Sequence, residues 1–138
     1  MEIRTEQELI NYGKKLADNL TLPAVFELTG DVGVGKTTLT RGLAEGLGVK
    51  EPVTSPSFTI SKRYGFEKNG EVGTLVHYDF YRLPDPGLML GDLEEAMYDP
   101  DSIVVVEWAD SVANILPEDR IKVEIKYISA EEREINLL

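Results

Sequence analysis

The stretch GDVGVGKT, residues 30–37, decides how this 138-residue sequence is interpreted. Its three glycines permit positive φ and a close approach of the backbone to a ligand, so that amide N–H groups can surround an anion. Lys36 adds a positive charge for the β- and γ-phosphates, and Thr37 adds a hydroxyl that can ligate Mg²⁺. The spacing therefore predicts a loop that cradles the phosphates of a nucleotide.

The segments on either side of this phosphate loop support the prediction. Residues 24–29 (AVFELT) are typical of a buried strand, and residues 36–47 (KTTLTRGLAEGL) of a helix that ends at Gly48. A phosphate loop requires this strand-before, helix-after context, which favours nucleotide binding over a tight glycine turn with no ligand. The residues expected to contact the nucleotide here are Asp31, Val32, Gly33, Val34, Gly35, Lys36, Thr37 and Thr38.

Two carboxylates stand at the ends of predicted strands. Glu107 follows the apolar run 103–106, and Asp79 follows residues 75–78. Open α/β sheets bind their ligands at the carboxyl ends of strands. Either residue could therefore hold Mg²⁺, directly or through water, or orient the attacking water. The plain alternative for each is a surface carboxylate, which the nearby phosphate loop disfavours.

Composition and charge narrow the classes of function. The length fits one domain over residues 1–138, and the formal net charge is −11. The absence of cysteine excludes a disulfide scaffold and a cysteine-based zinc site, and suits a reducing cytosol. An acidic chain repels phosphate backbones, so we expect no direct binding to nucleic acid or to an anionic membrane. With neither a signal-peptide pattern nor an apolar run long enough to cross a bilayer, we expect a cytoplasmic protein.

The rest of the chain shows helical and strand patterns without an internal repeat. Thr5 and Glu8 have the spacing of a capping box, which marks the start of a helix. Asn69-Gly70 is a strong tight-turn signal between two strand-like segments. Helices are predicted over 6–20 and 88–98, an antiparallel hairpin over 57–66 and 72–81, and strands over 102–107 (covered on both faces), 121–128 (half exposed) and 133–138.

Four further features have both a functional and a structural interpretation. His77 is the only histidine, and a structural role is favoured for it. Trp108, beside Glu107, suits packing better than recognition, although its fluorescence should report nucleotide binding if it lines the pocket. Residues 54–57 could be a switch loop or a plain turn around proline. Arg82 could stabilise charge on a transferring phosphoryl group or be exposed to solvent.

Several classes of phosphate-loop protein do not fit. A GTPase would have a D-x-x-G switch and an N-K-x-D guanine reader, and neither occurs outside the phosphate loop. A nucleoside or nucleotide kinase would have an arginine-bearing lid, whereas the arginines here are dispersed. The pattern indicates a minimal ATPase whose ATP hydrolysis acts on a partner protein. A small-molecule kinase with Asp79 as its base, and a nucleotide-sensing module without turnover, remain open.

Four segments occur in the order and spacing of one family. They are GDVGVGKTTLTRGL (30–43), VTSPSFTI (53–60), HYDFYRL (77–83) and VVVEWAD (104–110). The chain resembles the TsaE (YjeE) family, the ATPase of bacterial tRNA threonylcarbamoyladenosine biosynthesis, over nearly its whole length. Two departures are Ser57, where the family more often has threonine, and a short C-terminal end.

The resemblance implies a fold and a set of roles. The fold is an α/β, P-loop NTPase-like three-layer sandwich with a mixed, partly antiparallel sheet. Lys36 and the loop amides bind the phosphates of ATP, and Thr37 with Glu107 holds Mg²⁺. Asp79 is needed for hydrolysis, and Trp108 sits near the nucleotide. By position, the start of the first helix and the segment near Arg133 are candidates for the adenine pocket.

The resemblance also implies partners. A TsaE-like subunit joins a TsaD–TsaB heterodimer, which transfers the threonylcarbamoyl group to an adenosine beside the anticodon. ATP hydrolysis by the TsaE-like subunit resets that complex between turnovers. The net charge of −11 agrees with tRNA being held by the other subunits.

Overall fold

The computed structural model describes residues 1–56, 59–81, 83 and 85–138. Three α-helices lie among these residues: α1 (Glu6–Asp18), α2 (Lys36–Leu47) and α3 (Met89–Tyr98). The strands are β1 (Glu2–Ile3), β2 (Ala24–Thr29), β3 (Ser61–Lys68), β4 (Glu71–Asp79), β5 (Ser102–Glu107), β6 (Ile121–Tyr127) and β7 (Arg133–Leu137). Short 3-10 turns follow β5 at Ala109–Ser111 and Ala113–Ile115. No helix in the described part of the chain is long and apolar enough to cross a membrane.

The seven strands form one sheet in the order β1-β7-β6-β2-β5-β4-β3. Its centre is parallel, because β2 pairs in parallel with both β6 and β5, and β5 with β4. The pairs β3–β4, β6–β7 and β1–β7 are antiparallel. The predicted α/β class with a mixed, partly antiparallel sheet is therefore confirmed.

Two apolar cores cover the two faces of this sheet. Strand β5 is buried along its whole length, so alternate residues of one strand serve both cores. Ile103 and Val105 pack with α1 and α2, whereas Val104 and Val106 pack with Leu93 of α3. The predicted strand with two covered faces is confirmed. Helices lie on both faces of the sheet, which gives three layers.

Helices α1 and α2 cross with their backbones in close contact. A Cβ atom added at Gly42 would lie 2.2 Å from the carbonyl oxygen of Ile10, and one at Gly13 would lie 2.6 Å from that of Leu39. Side chains at these two positions would force the helices apart. The glycines therefore set how closely α1 lies against the helix that follows the phosphate loop.

The predicted elements agree with the structure except at some boundaries. Thr5 caps α1 as predicted, its side chain accepting from the Glu8 amide, but the helix ends at Asp18 rather than at residue 20. The hairpin is confirmed, although β3 begins at Ser61 rather than at residue 57. Residues 57 and 58 lie outside the described residues. Strand β1 was not predicted, because two residues are too few to show a period.

Candidate nucleotide-binding site

Three parallel strands end at the same edge of the sheet and deliver the predicted site residues to one place. Strand β2 leads into the phosphate loop, β5 ends at Glu107 and β4 ends at Asp79. In the register of the sheet Asp79 lies opposite Glu107, and Glu107 lies opposite Leu28 near the end of β2. A cavity of about 750 Å³ opens at this edge. Its lining contains Val32, Gly33, Gly35, Lys36, Thr37, Thr38, Ser55, Ile60, Asp79, Tyr81, Leu83, Glu107 and Trp108.

The phosphate loop has the backbone conformation that its glycines permit. Gly33 and Gly35 have φ of 77° and 120°, a region that side chains with a Cβ rarely adopt. Helix α2 begins at Lys36, directly after Gly35. The first amide groups of this helix have no partner within it and form its positive end at the cavity. The loop and the helix start together present amide donors of the kind that suits an anion.

Lys36 lines this cavity and is almost buried, with 5% of its surface exposed. Its ammonium donates to the carbonyl oxygen of Gly30 and lies 3.4 Å from that of Asp31. The ammonium also lies 4.0 Å from the centroid of the Trp108 ring. Burial lowers the pKa of Lys36, while the charges of Glu107, Asp79 and Asp31 act in the opposite direction.

Asp79 is held at the end of β4 by two backbone contacts. Its Oδ1 accepts from the Tyr81 amide at 2.9 Å, and its own amide donates to the carbonyl oxygen of Ile60 at 2.8 Å. Ile60 has φ of 68°, an unusual value for a β-branched residue. Burial raises the pKa of Asp79, the Tyr81 amide lowers it, and the charge of Glu107 raises it.

Glu107 is a buried carboxylate that still lines the cavity. Its surface is 3% exposed, so the surface-carboxylate alternative is wrong for this residue. Its Oε2 lies 2.5 Å from Nε2 of His77, which is fully buried in β4. Sequence alone favoured a structural role for His77 but did not predict this contact.

The donors in the cavity suit Mg²⁺ bound together with phosphates. Thr37 and Glu107 both line it, and hydroxyl and carboxylate oxygens are ligands that Mg²⁺ accepts. The described residues contain no group of three or more histidine, cysteine or acidic side chains that could form a complete cage. A complete cage is not required for Mg²⁺, which usually binds through one or two protein oxygens plus water and substrate phosphates.

Trp108 lines the cavity and has an unusual backbone conformation. Its φ is 55°, in the left-handed region. The ring packs against Tyr81, with centroids 4.8 Å apart, and the Lys36 ammonium lies over its face. This residue therefore lines the pocket, in addition to packing against a neighbour.

Arg133 lies on the other side of the phosphate loop, beside a second cavity of about 570 Å³. Its guanidinium donates to the carbonyl oxygens of Val34, Ser129 and Glu132 at 2.9, 2.6 and 2.9 Å. It thus ties β7 to the loop. This second cavity shares Gly33, Gly35 and Thr38 with the first, and the start of α1 also lines it. The two predicted adenine-pocket segments, near Arg133 and at the start of α1, are brought together here.

The sequence model of the family described as "Threonylcarbamoyl adenosine biosynthesis protein TsaE" matches residues 3–135. The chain belongs to the TsaE family. It is 42% identical over 113 residues to a Streptomyces coelicolor protein named tRNA threonylcarbamoyladenosine biosynthesis protein TsaE, covering 82% of this chain and 75% of that one. Relatives of the same name from Bacillus subtilis and Haemophilus influenzae are 44% and 37% identical, covering 80% and 91% of this chain and 66% and 80% of theirs.

A solved structure has the same architecture. The crystal structure of Bacillus subtilis YdiB superposes with a TM-score of 0.77 at 34% identity, covering 99% of this chain and 82% of that one. The resemblance carried by the four sequence segments is therefore confirmed, and with it the fold class.

Not all of the predicted nucleotide-contacting residues of this TsaE-family chain line the first cavity. Asp31 and Val34, expected at the nucleotide, do not line the first cavity in the described structure; Val34 is buried beside the second. Ser55 lines the first cavity, while Ser57 and Arg82 lie outside the described residues. Ile60, Tyr81 and Leu83 also line it and were not predicted. They lie just outside the ends of the β3–β4 hairpin, a position that carries no sequence signal for a ligand.

Proposed function

We propose that this TsaE-family chain binds Mg-ATP and hydrolyses it slowly, in the service of tRNA threonylcarbamoyladenosine biosynthesis. The observation that carries the proposal is the convergence of Lys36, Asp79 and Glu107 on one cavity at the ends of three neighbouring parallel strands. A glycine loop alone would support anion binding. Two carboxylates facing the same space support chemistry on the bound phosphate.

The groups lining the site have separate roles in binding and hydrolysis. The loop amides, the start of α2 and Lys36 bind the phosphates, and Thr37 with Glu107 holds Mg²⁺. When bound, Mg²⁺ offsets the negative charge of the phosphates. Asp79, with a pKa raised by burial, orients the attacking water and accepts its proton. The rings of Trp108 and Tyr81 pack against each other and line this cavity.

The partners are proposed from the family. A TsaD–TsaB heterodimer would bind this subunit. Because this chain carries a net charge of −11, tRNA would be bound by the other subunits. Phosphate-loop proteins acting alone hydrolyse slowly, at roughly 10⁻⁴ to 10⁻² per second. We therefore expect TsaD–TsaB to stimulate the reaction.

The test is phosphate release from Mg-ATP by the purified protein, with and without TsaD–TsaB. Slow release alone that rises with the partners supports the proposal, and Lys36→Ala should abolish both rates. Release that ignores the partners, or no release in either condition, would contradict it. Transfer of phosphate to a nucleoside or a sugar instead of water would favour a small-molecule kinase, for which Asp79 would be the base. Tight ATP binding without turnover, even with the partners, would favour a nucleotide sensor.

A further inference from the structure

His77 lies beside the two site carboxylates, two residues before Asp79 on β4 and in contact with Glu107. It is on β4 opposite Val105 of β5, and the alternation of the strands places it on the same face as Asp79 and Glu107. His77 is fully buried. It is not among the described residues that line the cavity. His77 therefore reaches the site only through another side chain.

Two of the strand neighbours of His77 on this face of the sheet are apolar. Its neighbours on this face, Leu75 and Val105, are buried in the apolar core. A buried imidazole costs free energy unless its nitrogens are hydrogen bonded. Nδ1 has no hydrogen-bond partner in the described structure, so Nε2 makes the polar contact, 2.5 Å from Oε2 of Glu107. In the described structure the imidazole therefore has Glu107 as its hydrogen-bond partner.

The contact leaves Glu107 partly free for a ligand. Because a carboxylate oxygen accepts, the hydrogen bond requires hydrogen on Nε2 of His77. The contact occupies Oε2, one of the two carboxylate oxygens, while Glu107 still lines the cavity. A carboxylate held through one oxygen presents the other in a fixed direction, whereas an unheld one would sample several rotamers.

We propose that His77 is a positioning residue, which fixes the Glu107 carboxylate for Mg²⁺ by donating a hydrogen bond from Nε2. This inference rests on the proposed function, in which Glu107 faces the metal of Mg-ATP. Partners of metal-binding groups of this kind change metal affinity or activity by about 10- to 100-fold when removed. His77 should therefore affect metal affinity and turnover while leaving metal-free nucleotide binding nearly unchanged.

The test compares His77→Gln with His77→Asn in the full chain. Both carry an amide, but the glutamine nitrogen extends to the position of Nε2, whereas the asparagine nitrogen reaches only that of Nδ1. The measurements are ATP affinity in EDTA by calorimetry, Mn²⁺ affinity of the ATP-bound protein by electron paramagnetic resonance, and phosphate release with TsaD–TsaB. Thermal unfolding of both variants shows that they are folded.

We expect H77N to weaken Mn²⁺ affinity by about 10- to 100-fold and to lower the turnover number, with ATP affinity in EDTA within a few-fold of wild type. H77Q should recover most of the lost Mn²⁺ affinity. Equal loss in both variants, or wild-type metal affinity in H77N, would overturn the inference. If the wild-type protein releases no phosphate, the proposed function fails, and the Mn²⁺ measurement still decides the role of His77.

Discussion

The ammonium of Lys36 lies 4.0 Å from the centroid of the Trp108 ring while it donates to the carbonyl oxygen of Gly30. Cation–π contacts of this kind are worth about 0.5–2 kcal/mol, so the indole is electrostatically linked to the lysine of the phosphate loop. A phosphate that draws the ammonium towards itself changes the surroundings of the indole.

The first prediction concerns this pair. We expect ATP to change the fluorescence of Trp108, the only tryptophan in the chain, saturating with the same affinity that calorimetry gives. Lys36→Ala should weaken ATP binding and reduce the change, and Trp108→Phe should remove the signal. Binding detected by calorimetry with no change in emission would contradict the assignment.

The second prediction concerns Asp79. Replacing it with asparagine keeps its shape and its contact with the Tyr81 amide but removes the charge and the proton acceptor. We expect phosphate release to fall by about 10²- to 10⁴-fold with ATP affinity changed only a few-fold. Asp101→Asn is the matched control, since this exposed carboxylate lies at the opposite end of β5. Near-normal release by Asp79→Asn would rule out the proposed role.

The third prediction concerns the contact between α1 and α2. We expect Gly42→Ala to lower the free energy of unfolding by about 1–3 kcal/mol, because its Cβ would lie 2.2 Å from the Ile10 carbonyl oxygen. Gly91→Ala in α3, where a Cβ meets no atom within 4 Å, should be neutral or raise stability by up to about 1 kcal/mol. Urea unfolding measures both. Similar values for the two variants would show that the helices separate at little cost.

The fourth prediction concerns stability at high pH. Burial and the hydrogen bond from the Tyr78 hydroxyl to Asp92 raise the pKa of Tyr78 above its ordinary value of 10.0. Above that value the unfolded chain loses the tyrosine proton while the folded chain keeps it. The stabilisation is therefore complete below pH 10 and declines as the pH rises further.

Tyr78→Phe tests this directly. The variant should be less stable than wild type by about 1 kcal/mol at pH about 8, and the difference should shrink at pH about 11. Urea unfolding at the two pH values gives the comparison, with Tyr98→Phe as the control, since Tyr98 is 82% exposed. A difference that is independent of pH would contradict the role of the Tyr78 hydroxyl.

The sequence predicted what depends on local pattern. The strand, glycine loop and helix around Lys36 follow from spacing within about 25 residues, and Glu107 and Asp79 were placed at strand ends by the apolar runs before them. The contact between His77 and Glu107 depends on the register of β4 against β5, which no local pattern encodes. The left-handed backbone of Trp108 and the close crossing at Gly42 likewise arise from tertiary packing.

The hydrogen bond from the Asp79 amide to the Ile60 carbonyl joins the connection that precedes β3 to the end of β4. Ile60 is held at φ of 68°, and a residue in such a sparsely populated region costs of the order of 1–3 kcal/mol. Ile60 also lines the first cavity, so one strained residue joins the cavity wall to the strand end that carries Asp79.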